Sequence, residues 1–90
     1  MLEVINAIRN VTELKVKARP ASNYFCEVEY KQIDLPPTVE VNLNKVNPGI
    51  ELLRNISAVA KSYGYSVDFY NGNPFIKEYR TELRKEGFSV

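Results

Sequence analysis

Residues 14–43, LKVKARPASNYFCEVEYKQIDLPPTVEVNL, decide how the chain is to be read. Within them the apolar period is two. Leu14, Val16 and Ala18 alternate with Lys15, Lys17 and Arg19 up to Pro20, as in a strand with one face buried. Tyr24, Cys26, Val28 and Tyr30 alternate with Phe25, Glu27, Glu29 and Lys31, which predicts a second strand folded back on the first across the turn Ala21-Ser22-Asn23. Asp34 to Pro37 read as a stiff loop, because proline lacks a donor and restricts the residue before it. Val39, Val41 and Leu43 then form the inward side of a third strand, with Thr38, Glu40 and Asn42 outward.

Outside this stretch the period lengthens to that of a helix. Val4, Ile5, Ile8 and Val11 share one face, predicting a helix over residues 2–11. Asn47-Pro48 and Asn73-Pro74 each pair a capping side chain with a residue tolerated in the first turn, so both read as helix starts. The first of these helices carries a stripe of Leu52, Leu53, Ile56, Val59, Ala60 and Tyr63 and ends at Gly64, with Arg54, Ser57 and Lys61 expected in water. The second places Ile76, Tyr79 and Leu83 inward and ends at Gly87. Between them Tyr65, Val67 and Phe69 mark a fourth strand.

The expected fold is a single α+β domain over residues 1–90, in the order α-β-β-β-α-β-α. It is a two-layer sandwich with helices on one face of a four-stranded, mostly antiparallel sheet. A helix of about fifteen residues spans roughly 22 Å, enough to carry the fourth strand across to the first. That placement makes the third strand an edge, guarded by Glu40 and open to a chosen partner through Thr38, Glu40 and Asn42.

Composition narrows the function classes. The chain has 90 residues, 44% of them hydrophobic and 26% charged, which suits a folded domain with its own core. Twelve basic and eleven acidic residues leave a net charge of +1, too little to steer the whole molecule to nucleic acid or an anionic membrane. No segment has the length and apolarity of a membrane span. There is no histidine, so the commonest general acid or base near neutral pH is missing, along with the commonest metal ligand. Cys26 is the only cysteine, which indicates a reducing, cytoplasmic setting and no disulfide framework. Nine asparagines fit an AT-rich source such as a phage or other mobile element. Phosphate-loop, nucleophile-elbow and paired-thiol motifs are absent. These features lead to the expectation of a non-enzymatic protein without cofactor or metal.

Three constellations remain as candidate binding surfaces. Lys15, Lys17 and Arg19 align three cations on one strand face, with Phe25 and Tyr70 as nearby aromatic rings. That row reads as a phosphate-tracking surface for nucleic acid, or as one side of cross-strand ion pairs with Glu27 and Glu29. The edge strand is the second surface. The third is the last helix, which sorts Lys77, Arg80 and Arg84 onto one rail and Glu78, Glu82 and Glu86 onto another, as in a docking helix or a solvated amphipathic one. The function expected from these surfaces is protein binding, through a partner or self-association, with nucleic-acid binding as the alternative.

Overall fold

The computed structural model describes residues 1–90. The chain is α+β, with three helices and five strands: α1 (Leu2–Arg9), β1 (Val16–Arg19), β2 (Ser22–Cys26), β3 (Lys31–Leu35), β4 (Thr38–Asn42), α2 (Ile50–Ser62), β5 (Ser66–Tyr70) and α3 (Phe75–Lys85). The strands form two sheets where one of four strands was expected. β1, β4 and β5 make a sheet in that order, and β2 and β3 pair only with each other.

β4 is the centre of the sheet. It pairs antiparallel with β1, Val16 opposite Val41 and Arg19 opposite Thr38, and parallel with β5, Val39 beside Val67 and Val41 beside Phe69. The expected edge strand Thr38, Glu40, Asn42 is therefore the most enclosed strand of the fold. α2 does return β5 parallel to β4, but as its direct neighbour, with no crossing to β1. The reach of α2 is not used to cross the sheet, and Glu40, the expected guard of an edge, pairs with Arg19 across the strands at 3.4 Å.

The core lies between this sheet and the helices. Val16, Val39, Val41, Val67 and Phe69 bury one face of the sheet against Val4, Ile5 and Ile8 of α1, Leu53, Ile56 and Ala60 of α2, and Ile76 and Leu83 of α3. Phe69 is the largest side chain fully enclosed. Ser57 is buried too, against expectation, since its hydroxyl donates to the Leu53 carbonyl at 2.7 Å and so carries no unpaired polar atom into the interior. Asn73 caps α3 as predicted, accepting from the Phe75 amide at 2.9 Å. Asn47 does not cap α2, which starts later, at Ile50; its side-chain carbonyl accepts instead from the Asn73 amide, linking the two helix entrances.

The sheet edges differ. On β5, the Val67 amide donates to the Ser89 carbonyl at 2.9 Å, and the Arg80 guanidinium donates to the Phe69 carbonyl. The chain reaches this edge because Gly87, at φ +95°, turns it back after α3, with the Phe88 amide on the Leu83 carbonyl at 3.1 Å. β1 has nothing on its outer side. The Asn42 amide bonds the Lys15 carbonyl, so by alternation Lys17 and Arg19 also face β4, and the amide and carbonyl of Val16 and Ala18 point away from the sheet.

α2 and α3 are joined at their solvent side by Arg54, which donates to Glu86 at 2.6 and 3.0 Å and also to Glu51. The guanidinium holds the Glu86 carboxylate below its ordinary value of 4.5, and these bonds raise Arg54 further above its own range. A lowered carboxylate stabilises the fold above its unfolded value, and that contribution is lost as pH falls through the folded one. Glu86→Gln is expected to lower the midpoint of thermal unfolding at pH 7 and to match the parent chain well below pH 4.5, read by calorimetry across pH. A second expectation separates core from periphery: Phe69→Ala should cost about 3–5 kcal/mol in urea unfolding, and Val28→Ala, at a residue 90% exposed, within about 0.5 kcal/mol.

Candidate functional site

A two-stranded arm projects from the body. Between β1 and β2 lie two residues, Pro20 and Ala21; between β3 and β4 lie two, Pro36 and Pro37. Arg19 pairs with Thr38 on one side of the gap and Ser22 with Leu35 on the other, so the register passes through unchanged. β1-β2 and β3-β4 are thus one long hairpin. By the same alternation Pro36 stands where a donor to Ala21 is needed, which opens the ladder there. Pro20 faces the free edge and Pro37 the β5 side, where their missing donors break no bond of the hairpin.

The turn lies at Glu27–Tyr30, inside the segment read as a single second strand, and Tyr30 takes the left-handed conformation at φ 52°. None of these four residues is a glycine, proline, asparagine or aspartate, so the usual turn signals are absent. The consequence for the site is large. Glu27 and Glu29 sit at the arm tip and do not lie opposite Lys15, Lys17 and Arg19; Glu29 pairs with Lys31 at 3.0 Å.

β2 and β3 pack on each other and only marginally on any other element. No residue of the arm joins the core. Tyr24 with Ile33, Ser22 with Leu35, and Cys26 with Lys31 share the face that continues the buried face of β1 and β4, now without helices over it. Phe25, opposite Gln32, lies on the other face. Tyr24, Phe25, Val28 and Tyr30 are 52%, 56%, 90% and 82% exposed, and Cys26, expected in the core, is half-buried here. The molecule measures 40 × 30 × 25 Å with a radius of gyration of 13.7 Å, against about 12 Å for a compact chain of this length.

The predicted cationic surface is not assembled with its rings. Lys17 lies in a row with Glu40 and Asp68, and Lys15 in a row with Asn42 and Tyr70, so Tyr70 stands two strands away, roughly 10 Å. Phe25 lies six residues beyond Arg19, roughly 20 Å along the ribbon. Arg19 is paired with Glu40, while Lys15 and Lys17 make no ion pair. The cationic rail of α3 is largely consumed within the fold: Arg80 closes the β5 edge and Arg84 donates to the Val90 carbonyl at 2.8 Å. The side chain of Lys77 has no such partner. The acidic rail faces α2 through Glu86, so the two rails reflect the two sides of the helix that the chain itself occupies.

No group of three or more histidine, cysteine, aspartate or glutamate side chains comes together, and no helix is long and apolar enough to cross a membrane. The chain matches no family model, no curated protein and no solved structure. Two measurements probe this layout. Arg80→Ala should destabilise the fold by about 1–3 kcal/mol through the unpaired Phe69 carbonyl. In a low-salt mobility-shift titration, Lys17→Glu should behave as the parent chain, since a face interleaved with Glu40 and Asp68 offers no continuous phosphate track.

Proposed function

We propose that this chain is a non-enzymatic protein-binding module whose contact surface is the β2-β3 arm. The supporting observation is an apolar face that leaves the core as Leu35, Ile33 and Tyr24 and continues outward with no element over it. An isolated two-stranded ribbon is marginal in water, and aromatic side chains are enriched where proteins meet. The arm's ionisable side chains are Glu27, Glu29 and Asp34 against the single Lys31, apart from the tyrosines and Cys26. That balance repels a phosphate backbone and suits a protein surface. The lone Cys26 on a projecting element, together with the lack of histidine in the chain, supports a cytoplasmic binding role over catalysis.

Replacing residues 20–37 by Asn-Gly joins Arg19 to Thr38 through a two-residue turn that matches strand twist and leaves every core residue in place. The shortened chain should unfold cooperatively, as read by circular dichroism, and lose the association of the full chain, as read by light scattering and, with a benzophenone at position 17 of both chains, by photo-cross-linking to protein. A folded, armless chain that still associates would remove the arm from its role.

A further inference from the structure

We infer that the arm's occupant is a second copy of this chain, paired antiparallel along the β1-β2 edge. This rests on the reading of the arm as a contact surface and adds its partner. The β5 edge is occupied by Ser89 and Arg80, which leaves the short outer margin of β3 and, as the longer open edge, the β1-β2 side. Because the register is continuous, the residues whose amide and carbonyl point outward are Val16, Ala18, Ser22, Tyr24 and Cys26, with the Pro20 carbonyl among them.

Two copies related by a two-fold axis must place outward-facing residues opposite outward-facing residues, which fixes the pairing to alternate registers. With Ser22 opposite Ser22 of the second copy, Ala18 meets Cys26 and Pro20 meets Tyr24. On the opposite face Lys17 then meets Glu27, the first residue beyond β2, and Arg19 lies beside the Phe25 ring. Lys17, which makes no ion pair within one chain, thereby acquires an acidic partner from the other, and a cation lies near an aromatic face. Centring on Ala21 likewise pairs Lys15 with Glu27 and sets Lys17 beside Phe25, so either register brings the basic β1 end of one copy to the acidic arm end of the other.

Either register lays the arm end along β1, toward the open groove that Arg9, Thr12, Glu13, Leu14 and Lys15 line on this edge. Pro20 withholds one donor per chain, so the ladder is shorter by those two bonds than an unbroken one.

Light scattering of the full chain up to about 1 mM should show a dimer. Lys15→Glu with Lys17→Glu in one chain, and Glu27→Lys with Glu29→Lys in another, should each weaken it about tenfold or more. Mixing the two charge-reversed chains should restore a heterodimer. Ser22→Pro, which touches no bond inside the hairpin, should abolish dimerisation with the circular-dichroism spectrum unchanged. In a mixture of ¹⁴N- and ¹⁵N-labelled chains, a carbodiimide should join Glu27 to Lys15 or Lys17 in isotopically mixed products. A chain that stays monomeric at the highest concentration overturns self-pairing and leaves the position-17 cross-links to other proteins, formed by the full chain and lost by the armless one, to judge the contact surface. A dimer indifferent to both charge reversals and to Ser22→Pro overturns the edge.

Discussion

Everything in this molecule is arranged around β4 and its pairing on both sides. Its inward residues, Val39 and Val41, are fully enclosed because β1 and β5 flank them and three helices close over them. Its outward residues hold the opposite face together in rows, with Glu40 between Lys17 and Asp68. A strand that is hydrogen-bonded on both edges and buried on one face has little freedom of register, since a slip of one residue would put Glu40 and Asn42 in the core. That fixity propagates. β4 sets the register of β1, and through β1 it aims the arm.

The arm is where this order meets its opposite demand. The strands that leave the body keep the body's register and its alternation, yet no helix follows them. Pro36 lies at the boundary and removes a donor from the ladder where the ribbon leaves the core, separating a tightly packed portion from one exposed on both faces. The two portions therefore differ in what holds them: the body by burial, the arm by its cross-strand pairs alone.

Much of this was legible in the sequence. Helical spacing located all three helices, period-two spacing located β1, β4 and β5, and Gly64 and Gly87 marked helix ends, both at positive φ. What escaped has physical causes. Glu27-Val28-Glu29-Tyr30 alternates like a strand and carries none of the usual turn residues, so the arm's two strands read as one and β3 was missed. With the turn misplaced, Glu27 and Glu29 fell opposite the cations, and the prolines before β4 looked like the guard of an edge when they are the root of the arm. On α3, charge sorting pointed outward to a partner, whereas Arg80, Arg84 and Glu86 find theirs within the same chain. Side-chain periodicity shows which face is buried; it does not show what does the burying.

The return of Ser89 along β5 also limits how strands can be added. A sheet with two open margins can recruit subunit after subunit and grow into a fibre, but one with a single open margin admits one neighbour and is then complete. The hydrogen bond from Val67 to Ser89 closes the body's sheet on that side, so a second free margin remains only on the arm, along β3.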